Sequence, residues 1–202
     1  AYQMAQVGFF NDTSRDAIKG AEVFGSIKRG YVSRKSTEDI IARSVLGSAE
    51  LGSFLTPSQV LNYVEAHDNY NLYDLLSYVH PNDSQEKIKK QVEMATAMNL
   101  LCQGMAFMQV GQEFLRTKLV ATGEDGEVTQ EDRERAMNSY NAPDAVNQVD
   151  WDLVSVNKDT IDYVRQIIHL KKTLPALSLE SYEEIYQHVF VHTADMGSGV
   201  VV

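Results

Sequence analysis

Asn62-Tyr63-Val64-Glu65-Ala66-His67-Asp68-Asn69 decides the fold of this chain. A run that starts near Ser58 and is mostly apolar ends at Ala66 and delivers a His-Asp-Asn triplet, and helix-like sequence follows. A buried parallel strand feeding a polar loop and then a helix is one unit of a parallel α/β arrangement. In such folds the loops beyond the strand C-termini carry the chemistry. The stretch therefore predicts a βα unit, with Asp68 as a candidate catalytic carboxylate.

Two more apolar runs have the same shape. Val7 to Phe10 ends in Asn11-Asp12-Thr13, and Met105 to Val110 ends in Gly111-Gln112-Glu113-Phe114. Both predict buried strands. Between them the spacing predicts helices. Ser36 followed by Asp39 caps a helix to about Leu46, and Asp74 to Val79 forms another. Asp83 and Glu86 resemble a capping box. After it, Ile88, Val92, Ala95, Met98, Leu101 and Cys102 lie on one face, with Gly104 as the stop. Arg15 to Lys28 is mixed, broken by Gly20 and Gly25, and Thr117 to Ala142 reads as a long polar loop. Asp159 to Leu174 is a further helix ended by Pro175. From Ile185 onward the chain alternates as strands do, with Gly197-Ser198-Gly199 as a turn. Strands alternating with helices imply a parallel sheet, and continuous apolar strands imply burial on both faces. Three such units do not close a barrel, which typically needs about 250 residues.

Composition narrows the chemistry. The 202 residues carry a net charge of -10 and 44% hydrophobic side chains, ordinary for a globular protein. An acidic chain repels phosphate backbones, which argues against nucleic acid as a partner. No apolar stretch approaches the ~18 residues that a membrane helix needs, and no signal peptide is visible. The single cysteine, Cys102, sits in an apolar helical run and reads as core. Glu124-Asp125-Gly126-Glu127 lacks the spacing of a calcium loop and reads as solvated. His188 and His192 are four apart on strand-like sequence, where that spacing builds no helical metal site. No phosphate-binding loop, dinucleotide fingerprint or serine-centred nucleophile motif occurs.

Four stretches together resemble a known family. Tyr63-Val64-Glu65-Ala66-His67-Asp68-Asn69 resembles a conserved region of the α-amylase superfamily. Gly8-Phe9-Phe10-Asn11-Asp12-Thr13-Ser14-Arg15-Asp16-Ala17-Ile18-Lys19-Gly20 is similar to the type I pullulanase segment around the sixth barrel strand. Val110-Gly111-Gln112-Glu113-Phe114-Leu115-Arg116-Thr117-Lys118 is similar to the end of the eighth. The run from Asn138-Ser139-Tyr140-Asn141-Ala142-Pro143-Asp144 to Ala145-Val146-Asn147-Gln148-Val149-Asp150-Trp151 is similar to the loop after it. They occur in the family's order.

The resemblance implies an α/β fold, the C-terminal portion (about the last three βα units) of a (β/α)8 TIM barrel. Residues 1–178 would form strands six to eight and their helices, and residues 179–202 the start of an antiparallel β-sandwich domain. It implies an α-1,6-glucan debranching hydrolase that retains anomeric configuration; the residues themselves read as holding no cofactor and no metal, and calcium dependence of a longer parent stays open. Retaining glycosidases use two carboxylates about 5–5.5 Å apart, a nucleophile and an acid/base. In the family both lie on earlier strands, and no stretch here resembles those regions. Asp68 is then the third carboxylate, which stabilises the positively charged transition state. His67 would hydrogen-bond the same sugar and Asn69 support the turn. Asp144, Gln148 and Tyr140 would contact sugar beyond the cleavage point, although Gln148 stands where the family often has arginine. Glu113 and Arg116 read as a structural pair. Tyr70 and Tyr73 could line the groove, with the helix core as the safer place for Tyr73.

The expected partner is an α-glucan such as pullulan, limit dextrin or glycogen, with self-association through exposed half-barrel surfaces. The isolated chain is expected to be inactive. The alternatives are a non-catalytic glucan-binding or interaction module, or a segment of an isoamylase, branching enzyme or amylopullulanase. Localisation stays open between a bacterial cytoplasm and a secreted or cell-surface protein.

Overall fold

The structure is a computed structural model, and it describes residues 4, 6–23, 26–52, 54–191, 194–195 and 200–201. Gly25, His192 and the turn at Gly197-Ser198-Gly199 lie outside the described residues. The elements run β1 (Phe9–Phe10), α1 (Asp12–Ile18), β2 (Glu22–Val23), β3 (Ser26–Ile27), α2 (Glu38–Val45), β4 (Val60–Asn62), α3 (Leu72–Val79), α4 (Gln85–Leu101) and β5 (Met105–Ala106). They continue with α5 (Gln130–Met137), α6 (Asp144–Asn147), α7 (Leu153–Val156), α8 (Lys158–Thr173), α9 (Tyr182–His188), β6 (Ala194–Asp195) and β7 (Val200–Val201). One-turn 3-10 segments punctuate the loops, among them Pro57–Gln59 before β4 and Gln112–Phe114 after β5.

The three apolar runs form one parallel sheet in the order β1-β4-β5. Phe9 pairs with Val60 and Leu61 with Met105. Backbone hydrogen bonds extend the pairing at the C-terminal ends, from Asn11 N to Leu61 O and from Phe107 N to Asn62 O. The parallel sheet expected from alternating strands and helices is present. The expected burial of every strand is not. Central Val60 and Asn62 are buried, whereas Phe10 and Met105 on the outer strands stand 53% and 43% exposed. Each outer strand has only one neighbour, so one flank lacks a partner among the described residues.

The helices cover one side of the sheet. Ile88, Val92 and Ala95 of α4 meet Leu72 and Leu76 of α3, Ala17 and Ile18 of α1, and Val64 just beyond β4. Leu72, Leu76 and Val64 are fully buried, each contributing roughly 1.5–3 kcal/mol by leaving water. The heptad-like spacing read in the sequence places α4 correctly. Its cap, however, is Ser84, which accepts from Lys87 N at 3.3 Å, rather than Asp83. Asp83 instead ion-pairs with Arg34 and Lys87. Likewise α2 begins after Thr37, whose hydroxyl bonds Ala17 O, not after Ser36. Gly104 has φ +97, and a Cβ there would lie 2.9 Å from the carbonyl oxygens of Pro57 and Val60. Only glycine lets the chain tuck beneath β4 and enter β5.

Three segments depart from the pattern reading. Arg15 to Lys28 divides into the end of α1 and a β2-β3 hairpin, Glu22 facing Ile27. Within the expected loop, Gln130–Met137 is helical, fixed by a reciprocal capping box between Thr129 and Asp132. Its composition is almost wholly polar, so no apolar periodicity announces it. Residues 182–188 are helix α9 rather than strand, capped by Ser181, with Ile185 fully buried. The β6-β7 pair is antiparallel. No helix among the described residues is long and apolar enough to cross a membrane.

Candidate functional site

The C-terminal ends of β1, β4 and β5 open onto a cavity of about 290 Å³. Its lining combines Phe10 and Phe107 from the outer strands, Tyr63, Asp12 and Arg15, and the loop residues His67, Asp68 and Asn69. The Phe10 ring is edge-on to both aromatic neighbours, Tyr63 at 4.7 Å and Phe107 at 5.9 Å. They give the cavity an apolar floor under a polar rim, a combination suited to a sugar ring with its apolar faces and equatorial hydroxyls.

Asp68 and His67 stand at the mouth, with side chains 78% and 86% exposed and His67 Nε2 3.5 Å from Asp68 Oδ1. Neither is committed to a buried partner, so both can turn to a ligand. Asp12, at the first position of α1, accepts from Tyr63 Oη at 2.5 Å and from Arg15 at 3.3 Å. Arg15 also donates to Tyr63 Oη and lies over its ring. Burial together with the Asp12 acceptor holds the Tyr63 phenol protonated far above its ordinary value. The Asp12-Arg15-Tyr63 set was missed in the motif reading, although all three lie in the quoted stretches. Their spacing in sequence gives no sign that the first residues of a helix meet the end of the next strand.

Asp68 also borders a second, wider cavity of about 660 Å³, between the β2-β3 hairpin and α5. Glu22, Glu134, Asn138 and Ser139 line its walls. Tyr140, Asp144 and Gln148 are exposed on the following loop and line neither cavity. Tyr140 is 82% exposed. Asp144 opens the short helix α6, and Gln148 N closes it on Asp144 O at 2.7 Å. The structure thus groups His67, Asp68 and Asn69 with the cavity and leaves Tyr140, Asp144 and Gln148 apart from it.

Beneath the loop lies a buried charged layer. Glu22 accepts from Lys19 Nζ at 2.6 Å and from Tyr70 N at 2.9 Å, with both side chains at most 3% exposed. Glu65 accepts from Leu72 N at 2.6 Å, while its second oxygen is buried without a hydrogen bond. Burial pushes the Glu65 carboxyl up to about 7, against the pull of the Leu72 amide, Lys19 and Arg116. Asp74 accepts from Thr117 Oγ1 at 2.5 Å and Lys118 N at 2.8 Å, and burial raises it to about 6. Asn71 ties the loop to Arg116 O at 3.1 Å. A charged residue inside an apolar strand run was the visible signal for Glu65.

Other expectations resolve here. Glu113 accepts from Gly111 N at 3.0 Å, and Arg116 donates to Asn147 O. Among the described residues no ion pair joins Glu113 to Arg116, because the turn between them points the two side chains to different neighbours. Tyr70 is buried against Leu75 and Ala136 and stacks on Tyr78, so it does not line the cavity. Tyr73 packs against the helix core. Cys102 is core, its thiol pushed up to about 12 by burial. Asn11 is buried and bonds Ser48 and Asn62.

No family model matches the chain. It is 33% identical over 194 residues to a pullulanase of Bacillus subtilis, covering 94% of this chain and 25% of that protein. Against pullulanase A of Streptococcus pneumoniae it is 27% identical, covering 97% of this chain and 18% of the relative. Among solved structures, a Paenibacillus barengoltzii pullulanase in complex with maltohexaose and α-cyclodextrin superposes with a TM-score of 0.82 at 34% identity, over 96% of this chain and 28% of that one. A type I pullulanase of Bacillus subtilis complexed with maltose superposes with a TM-score of 0.78 at 34% identity, over 93% and 25%. The chain thus spans about a quarter or less of the length of these curated relatives.

Proposed function

Because this chain is a pullulanase-type sequence, matching about a quarter of its Bacillus subtilis relative, we propose that it forms part of an α-glucan-hydrolysing site. In this reading residues 1–178 are the last three βα units of a (β/α)8 barrel, and residues 179–202 open a β domain. The three-stranded parallel sheet and the placing of the cavity at its C-terminal edge support it.

The reaction is hydrolysis of an α-1,6 glucosidic link with retention, through a nucleophile and an acid/base carboxylate supplied by sequence outside these 202 residues. Asp68 faces the sugar across the bond that reacts. As the leaving oxygen departs, the ring gains positive charge, and a fixed carboxylate beside it lowers that state relative to the neutral ground state. His67 binds a hydroxyl of the same ring. Asp12, already held by Tyr63 and Arg15, is a second fixed acceptor, and the Phe10-Tyr63-Phe107 floor takes the apolar face. Tyr140, Asp144 and Gln148 reach sugar residues further along the chain. The observation that carries the reading is the grouping of Asp68 and His67 over an aromatic-floored cavity at the strand ends, in a chain related to pullulanases.

Two carboxylates short, the isolated chain should release no reducing sugar from pullulan beyond a blank. Turnover abolished by Asp68→Ala would overturn the division of labour. Calorimetry with maltotetraose supplies the other arm. Binding far weaker than micromolar fits a site completed elsewhere, whereas micromolar affinity would favour a self-sufficient glucan-binding module.

A further inference from the structure

Lys118 lies four residues beyond the Gln112–Phe114 turn that follows β5, and it is 2% exposed. An ammonium has three N–H donors and no acceptor. Here all three meet oxygen: His67 O at 3.3 Å, Asn69 O, and Ser139 Oγ at 3.2 Å. The two carbonyls flank Asp68 on either side. Asn69 holds φ +64, the left-handed region that L-residues rarely take, although asparagine tolerates it better than most. A turn of that shape brings the carbonyls before and after Asp68 toward one point, and the ammonium occupies that point.

We propose that Lys118 is a positioning residue for Asp68, an internal cation that gathers the His67 and Asn69 carbonyls and so fixes the direction in which the Asp68 carboxylate leaves the loop. The proposal rests on the reading of Asp68 as the sugar-facing carboxylate. A buried cation is tolerated only with counter-charge and full hydrogen bonding. Asp74, Glu65 and Glu22 supply the charge, and Arg116 opposes it. The backbone is held on the same side, since Lys118 N donates to Asp74 Oδ2 at 2.8 Å. Lys118 thus connects α3, the segment after β5 and the loop after β4. A carboxylate that must face a transient charge gains from being placed before the ligand arrives, because reorganisation then costs nothing during reaction.

A purely cohesive Lys118 and a positioning Lys118 differ in what their loss does to the loop. Lys118→Met keeps the bulk and removes the donors. The readout is the Asn69 Cα chemical shift, which reports the left-handed backbone, in the isolated chain without sugar. The expected result is a shift of Asn69 and its neighbours toward random-coil values, while Val92 and Ala95 of α4 keep theirs. An unmoved Asn69 in the folded variant would overturn the proposal. Should the variant not fold, the unmutated chain decides. Its Lys118 ammonium nitrogen should show coupling across hydrogen bonds to the His67 and Asn69 carbonyl carbons, and absence of both couplings would overturn it. Neither measurement involves a glucan, so failure here is distinct from failure of the turnover and binding tests.

Discussion

The helix layer around α4 and the charged layer beneath the loop after β4 are both buried and are held by different means. In the first, Ile88, Val92 and Ala95 pack on Leu72 and Leu76 as one apolar cluster. In the second, the side chains of Lys19, Glu22, Glu65, Asp74 and Lys118 are out of water, and the backbone amides of Tyr70, Leu72 and Lys118 each donate to a carboxylate. Apolar packing is non-directional. It favours compactness and accepts small changes of shape at small cost. Hydrogen bonds to charges are directional, and a charge left unpaired is expensive. The helix layer therefore supplies cohesion, and the charged layer supplies one particular backbone path for His67, Asp68 and Asn69.

The sharpest way to break the contrast is to remove a charge. Asp74→Ala leaves the Thr117 hydroxyl and the Lys118 amide without their acceptor and Lys118 with less counter-charge. Two hydrogen bonds to a charged group imply a loss of about 3–5 kcal/mol in a urea melt. Asp74→Asn, which keeps an acceptor, should lose clearly less. Equal losses would mean that packing, not charge, holds the loop.

The pH profile gives the next effect. Glu65 titrates near 7 when folded and near the ordinary 4.5 when unfolded. Between those values the folded chain holds the extra proton, so stability falls as pH rises through the window and is constant above it. The fall is at most about 3 kcal/mol. Asp74, raised in the same direction to about 6, adds to the slope over the lower part. Glu65→Gln should flatten the upper part, followed by urea midpoints from pH 4.5 to 7.5. The same slope in the unmutated chain and in Glu65→Gln would contradict the placement of Glu65.

The smallest effect belongs to the helix layer. Ile88→Val removes one methylene from a 3%-exposed side chain and should cost about 0.5–1.5 kcal/mol by thermal melt. The Asn69 shift should stay where it is. Movement of that loop would show that the two regions are not separable.

The same division decides what could be read from the sequence. Apolar spacing located α4 and α8 to within a residue or two, because burial of a helical face repeats in the chain. It failed for α5, whose stability comes from the Thr129-Asp132 box and whose eight residues show no apolar face. It also fails at residues 185–188, where alternation predicts strand and the chain is the end of a helix. There Ile185 alone is buried, too few anchors to fix a period. The strand-end triplet was legible as a site because polar residues abruptly follow an apolar run. The Asp12-Arg15-Tyr63 set and Lys118 lie within the family stretches yet carry no role there, since the contacts to Tyr63, His67 and Asn69 span 48 to 51 residues and form only through the fold. The cavity beside Asp68 without Asp144 or Gln148 reflects the same limit: order along a loop does not say which way the loop leans.

The burial of Lys118 has one more consequence. Trypsin cuts after lysine only where the chain can lie extended in the protease cleft, which a folded, side-chain-buried lysine forbids. Cleavage at this bond therefore requires the floor under Asp68 to come apart first. When reclosing outruns cutting, the nicking rate follows the population of that opened form, so an ordinary protease becomes a clock for the integrity of the loop.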